Sequence, residues 1–472
     1  MTWLKTLHSF HAIRFTCPKR CPRPSEKGLG RRPRRKGTRA GKLALGILLS
    51  FLAAAPLQAQ TQAVGQTPGL TLASEANAGD YLLGSVKLST SFSDNVLLSN
   101  VNPQSDVDYG IQPALTVAKT LGWLHMTWDF SPGLVKYQRI SQRDRLTGAV
   151  VTDISARPKE RWTVRVRNNY MDRTNPPFDT FSSEPQSTFF EGTGGGTIIP
   201  LVNQTSEEGD VTITYQPGPR TTLEASGYFR DYIYHPIPGV TDSEGLINSE
   251  SEIGRMQYFR QFSPRFTLGA AYSIQNIDFS FTNHSAGVRS NNVVGVGTLN
   301  ITPTIQFQVF GGPEFATIHN QILLNLGIAS VFLPVTENTV SGTGGAIFAL
   351  HKDRSSLQLV ATREVSGGTG LTAAAQSNKA DFTFRREFAS RWYGDLSGQY
   401  ALFTPVGPGT GAFDIHAMSL RAGLNHKFSE RLSIEIQLSR GQQEQTSQTF
   451  QRHVNVDFAQ ISLKYQIKRP IG

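Results

Sequence analysis

The sequence predicts an all-β fold: a transmembrane antiparallel up-and-down β-barrel of about 18 strands, with short turns at one end and long loops at the other. Three observations carry this expectation. Past residue 80, apolar and polar residues alternate with period two. A short polar element recurs between the alternating stretches, always opening into a new one. The 472-residue chain also has no apolar run of the roughly 20 residues that a membrane helix needs.

The N-terminal segment differs in kind from the rest. Residues 1–60 hold thirteen basic residues against the single acid Glu26, a balance of +12 where the whole chain carries +10. The remainder is therefore weakly acidic, which excludes a nucleic-acid-binding body. Lys42 leads into the apolar stretch Leu43–Ala55 and then Pro56. A basic region, a short apolar core and a small-residue exit describe a secretory signal peptide over residues 1–59. Cleavage is expected after Ala59, with Ala55 as the second choice. The stretch before Lys42 is long for such a leader and reads as an over-extended start. Residues 60–79, rich in Gln, Thr, Gly and Ala, read as a flexible linker. Both cysteines, Cys17 and Cys21, lie in the leader, so the body has no thiol chemistry.

From residue 80 to 472 the chain reads as barrel. Leu82, Val86, Leu88 and Phe92 alternate with Ser85, Lys87, Ser89 and Ser91. Leu124, Met126, Trp128 and Phe130 alternate with His125, Thr127 and Asp129. Trp162, Val164, Val166 and Tyr170 alternate with Thr163, Arg165, Arg167 and Asn169. Near the end, Ile434, Ile436 and Leu438 alternate with Glu435, Gln437 and Ser439. Successive side chains of a strand point to opposite faces, so each stretch has one apolar and one wet face. Charged residues are only 17% of the chain, against about 25% in soluble domains. A lipid-facing skin one residue thick accounts for that deficit.

Eight tight turns punctuate the strands: 119–123, 158–164, 217–223, 262–268, 302–305, 352–357, 388–392 and 428–434. The opposite connections are long and irregular, at 172–208, 235–250, 314–342 and 441–453. That asymmetry is the transmembrane-barrel pattern. In hydrocarbon no backbone group can stay unpaired, so the sheet must close on itself. Eight turns join sixteen strands, and one more strand lies before the first turn and after the last. The count is 18, with 16 as the other even number these boundaries allow. A propeller would need shorter strands and a repeated Trp-Asp, and Trp128-Asp129 occurs once.

The segment Tyr81–Leu98, ending Ser91-Phe-Ser-Asp-Asn-Val-Leu-Leu98, resembles the opening of porin-2-like outer-membrane barrels, some of them associated with exopolysaccharide export systems. The closing stretch Ile461–Ile467 is similar to their last strand. The resemblance implies the barrel fold, an outer-membrane location and a transport or export role. It brings no catalytic residues. One departure stands out: many barrels end on an aromatic recognised by the insertion machinery, whereas this chain ends Lys468–Gly472 and leaves Tyr465 and Ile467 to play that part.

Catalytic and metal chemistry find little support, so the chain is read as a non-enzyme without cofactor or metal. His125 and His416 are expected on the lumen face, but neither sits in a nucleophile motif. Gly192–Gly196 is glycine-rich without a following lysine or helix. Asp94, Asp106 and Asp108 flank the first long loop without the regular spacing of a calcium site, and read as solvated acids. Ile322–Val335 is the most apolar stretch outside the leader, yet it falls among the loops. It should fold inward and narrow the pore, contact a second subunit, or prove to be a misplaced strand pair. Lys87, Asp129, Arg165, Arg167, Glu224, Asp395, Glu435 and Lys464 are the expected pore-lining residues. Their mixed signs leave two readings. One is an outer-membrane pore passing small polar solutes or exporting polysaccharide. The other is a non-conducting structural or adhesion barrel acting through its surface loops. The expected partners are outer-membrane lipid, the insertion machinery and the solute or polysaccharide, and no nucleic acid.

Overall fold

A computed structural model describes residues 79–98, 102–141, 144–174, 203–235, 247–280, 285–325, 330–368, 372–406, 414–446 and 451–471. The leader, the linker up to residue 78 and Gly192–Gly196 lie outside the described residues. The first six strands are β1 (Tyr81–Ser93), β2 (Asp106–Leu121), β3 (Leu124–Tyr137), β4 (Arg145–Lys159), β5 (Trp162–Thr174) and β6 (Asn203–Gly218). Next come β7 (Thr221–His235), β8 (Asn248–Ser263), β9 (Phe266–Ser280), β10 (Ser285–Thr302), β11 (Ile305–Asn325) and β12 (Ser330–Lys352). The last six are β13 (Ser355–Gly368), β14 (Thr372–Ala389), β15 (Trp392–Pro405), β16 (Asp414–Lys427), β17 (Leu432–Thr446) and β18 (Gln451–Pro470). Each pairs antiparallel with its sequence neighbours, and β1 pairs with both β2 and β18, which closes an 18-stranded barrel. The fold is a closed antiparallel up-and-down β-barrel.

All eight expected turns join strand pairs at one end. Seven have two residues, and the eighth, 428–431, has four. Two of the tight ones need positive φ, which Gly122 (+60°) and Asp353 (+45°) supply. The last turn residue is arginine in six of the eight: Arg161, Arg220, Arg265, Arg354, Arg391 and Arg431. Its carbonyl accepts an N–H from the next hairpin, as Arg161 does from Gln216 at 2.9 Å and Arg431 from Gln466 at 2.8 Å. The backbone of each turn therefore ties the rim together and leaves an exposed guanidinium. Asp80 joins the chain ends to that rim: its carboxylate holds Lys119 at 2.7 Å and the Thr120 N–H, and its carbonyl takes the Ile471 N–H. The Lys119 bond holds the Asp80 carboxyl below the usual carboxylate range.

Outward positions carry the apolar skin, with Leu88, Leu134, Val293, Leu420 and Leu438 all exposed. Aromatics gather at two heights on this surface. Near the tight turns Trp162 stacks on Tyr215 at 4.5 Å, and Trp392 on His426 at 4.1 Å. Tyr109, Tyr170 and Tyr400 stand exposed nearer the long loops. Two girdles flanking an apolar band are what a bilayer requires.

The loop expected at 314–342 is instead strand. Asn320 pairs with Val335, and the ladder continues to Asn325 and Ser330, so only residues 326–329 separate β11 from β12. Ile322–Val335 therefore belongs to a hairpin, and no long loop is left there to fold inward. The last connection is also shorter than expected, since β17 reaches Thr446 and β18 begins at Gln451.

The wall parts beside this hairpin. β12 pairs with β13 only from Lys352–Ser355 to Gly344–Arg363, although both strands run on. Above that point side chains replace the ladder. Thr343 Oγ1 donates to the Arg363 carbonyl at 3.0 Å, and the Val365 N–H donates to Glu314 on β11 at 3.1 Å. The bend coincides with Gly311-Gly312-Pro313 on β11, where proline has no N–H and the β10–β11 ladder skips from Asn292–Glu314 to Gly295–Gly311. A Cβ on Gly312 would lie 1.9 Å from the Val293 carbonyl oxygen, so glycine is required there.

Two expected outcomes test this architecture. Gly312→Ala should cost about 1–3 kcal/mol as an overpacking change, whereas Gly295→Ala, which meets nothing within 4 Å, should stay within about 0.5 kcal/mol. Likewise Leu438→Arg, in mid-band, should cost about 2–4 kcal/mol. Ala114→Arg, on the opposite face beside Ser85, should stay within about 0.5 kcal/mol. Reversible denaturant unfolding in lipid vesicles reads both comparisons: equal losses in the glycine pair would refute the close approach at Gly312, and equal losses in the arginine pair the assigned faces.

Candidate functional site: the lumen

The registers fix which side chains face inward. Lys87 stands opposite Lys464 and Gln112, Asp129 opposite Thr116 and Val151, and Arg167 between Asp153 and Asp210. Following these pairs around the barrel puts Lys87, Asp129, Arg165, Arg167, Glu224, Asp395, Glu435 and Lys464 on one face, opposite the lipid skin. They do not form a single cluster. Like charges directly opposite each other repel, and Lys87 and Lys464 are relieved by Glu435, 3.9 Å from the Lys87 Nζ. The Asp129 carboxylate accepts from Thr116 at 2.6 Å. Arg165 pairs with Asp153, and Glu224 accepts from Gln257 at 3.0 Å. Asp395 lies over Gly423, where a Cβ would come within 2.4 Å of its carboxylate.

A second charged group, absent from the expected set, lies deeper. On β7 the inward residues run Tyr228, Arg230, Tyr232, Tyr234. Arg230 pairs with Glu208 at 3.0 Å and lies over the rings of Tyr228 and Tyr232, 5.0 and 5.3 Å from their centroids. The Tyr232 hydroxyl donates to the same Glu208 carboxylate at 2.9 Å. On β14, Lys379 is buried, 3.9 Å from Glu364 and over the Phe403 ring. Both groups stand on the inward face, on β7 and β14. Period-two parity would have found Glu208, Arg230 and Lys379, which stand in strands with fewer apolar markers.

Toward the long-loop end the inward face turns apolar. Ala375, Ala401, Phe403, Ile415 and Ala417 form a buried cluster there. Ile277, Phe279, Val288, Ala316 and Ile318, inward on β9–β11, pack against Val365. Val365 has outward parity on β13, so the top of β13 lies inside the β9–β11 wall. This overlap seals the gap between β12 and β13. The first long connection also turns inward. Leu98 packs on Val454 and Val456, and its carbonyl accepts from Arg452 at 2.7 Å. Val96 packs on Tyr137.

Several expectations need correction. His416 faces outward, opposite Leu402 and within 3.5 Å of the Tyr400 hydroxyl, whereas His125 does face inward, between Thr120 and Thr127. Of the acids of the first loop, Asp106 is not solvated, while Asp94 and Asp108 are half-buried. Asp106 is buried and accepts the N–H groups of Val107, Arg139 and Ile140 at 2.8, 3.1 and 3.0 Å. Asp94 accepts the Asp457 N–H, and Asp108 the Ser91 hydroxyl. Among the described residues no group of three or more His, Cys, Asp or Glu side chains could hold a metal ion.

No family model and no curated protein matches the chain. Distant likeness to solved structures exists. OccAB3 of Acinetobacter baumannii is 11% identical, with a TM-score of 0.41 over 83% of this chain and 100% of that one. The ferric-catecholate import receptor Fiu of E. coli K12 is 7% identical, with a TM-score of 0.43 over 81% of each. The copper transporter OprC is 7% identical, with a TM-score of 0.42 over 82% of this chain and 81% of that one. Likeness this distant carries no functional inference.

Asp106 makes the loop packing testable. Asp106→Ala leaves three amides without their acceptor, at about 1–3 kcal/mol for a buried unsatisfied group. The Arg139 and Ile140 amides should then exchange hydrogen faster than in the parent. Unchanged exchange would show that the carboxylate does not hold this connection.

Proposed function

We propose that the chain is an outer-membrane pore for small polar solutes, extended saccharides included, narrowed toward its long-loop end. The observation that carries this reading is the inward belt of both charge signs, still partly open to water: Lys87 and Glu435 are each 35% exposed and Arg165 41%. A barrel serving only as scaffold has no use for accessible ions of both signs on its inner wall. The resemblance to barrels associated with exopolysaccharide export supports the saccharide part. Lys87, Asp129, Arg165, Arg167, Glu224, Asp395, Glu435 and Lys464 then line the passage.

In this reading the leader is removed after Ala59 and residues 60–79 link it to the barrel. Both barrel ends lie at the short-turn rim, the periplasmic side, and Tyr465 and Ile467 serve the insertion machinery. The non-conducting alternative draws on the apolar packing of the outer half. Purified protein in a planar bilayer separates the two. A pore gives discrete openings of low conductance, and Lys87→Glu with Lys464→Glu shifts its ion preference toward cations. Folded protein that passes no current at any voltage would establish the non-conducting barrel instead.

A further inference from the structure

The outer wall is not uniformly convex. A groove of about 580 Å³ crosses the lipid-facing side of β11–β16, at the foot of the place where β12 and β13 part. Its walls are Phe348, Leu359, Phe382 and Met418, and its floor is Ala361, Ala380 and Gly398. Glycine at 398 lets the Phe382 ring lie close against the strand, since a Cβ there would meet the ring at 2.3 Å. The volume lies within the about 300–1,000 Å³ of ligand clefts.

The groove is lined almost wholly by apolar side chains, and polar groups stand just beyond one end of it. On the outward face Arg363 and Asn378 stand directly opposite each other, one step above Ala361 and Ala380. Arg363 is exposed and donates to the neutral Gln376 amide at 3.0 Å. On the far flank Glu444 stands opposite His416, so the positive end of the groove is at β13. Nine residues separate Arg363 from the turn at Arg354. In a strand tilted about 40° that is roughly 23 Å, the upper edge of the roughly 25 Å apolar band. An apolar trough ending in a cation at headgroup height fits an amphiphile.

We propose that this groove binds one acyl chain of a phosphate-bearing membrane lipid, whose anionic headgroup is held by Arg363 with Asn378 as a second donor. The inference rests on the barrel lying in a bilayer, not on its conducting solute. Native mass spectrometry of the detergent-purified protein, titrated with phosphatidylglycerol or phosphatidylcholine, tests it. The parent should retain one phosphatidylglycerol at detergent levels that strip phosphatidylcholine. Arg363→Gln should lower that retention at least fivefold, and Ala361→Phe should abolish it. Val293→Phe, on the same outer surface away from the groove, should behave as the parent. Heat-dependent gel mobility confirms that each variant is folded, and Ala380→Phe replaces Ala361→Phe should the latter fail to fold. Equal retention of the two lipids by the parent, or unchanged retention in Arg363→Gln or the folded groove-filling variant, would overturn the proposal.

Discussion

Every feature of this barrel follows from one requirement: a backbone N–H or carbonyl inside hydrocarbon must have a partner. Unpaired, each costs several kcal/mol, more than a single side-chain contact returns. Closure of β1 on β18 removes the two edges that an open sheet would leave in lipid. The same requirement reaches the rim, where turn carbonyls accept N–H groups from the neighbouring hairpin. Side-chain composition then needs only to give each strand one apolar and one polar face.

The place where the ladder fails shows how strictly the requirement holds. Beyond Gly344 and Arg363 the β12–β13 ladder stops, yet Thr343 and Glu314 take over the Arg363 carbonyl and the Val365 N–H. Overlap of β13 inside β9–β11 covers the gap with apolar side chains. That cover occupies lumen volume, so the repair of the wall and the narrowing of the lumen have a common cause. The outer concavity beside it follows as well, since a strand that leans inward leaves a hollow behind it.

The sequence was most legible where the two faces differ in polarity. All eight turns and the strand count came from alternation that Trp128 and Asp129, or Ile436 and Gln437, express plainly. It failed where both faces are apolar. His416 stands between Ile415 and Ala417, which are buried inward, while Met418 and Leu420 face lipid. At that height polarity carries no parity, and a histidine looks like lumen lining. Ile322, Leu323 and Leu324 likewise show no alternation, so a strand pair reads as an apolar loop. The deeper ions were missed for another reason: Glu208, Arg230 and Lys379 stand in strands with few apolar markers, so nothing prompted a parity reading there, although Arg230 pairs with Glu208 and Lys379 with Glu364 on the next strand.

The arginine that ends six of the eight turns has a consequence beyond tying the rim together. Its carbonyl is committed to the neighbouring hairpin, so the exposed guanidinium stands at a spacing set by the strands. Fixed positive charge around an opening draws counterions toward it, over about 8 Å at physiological ionic strength. Near that rim anions are therefore concentrated and cations depleted.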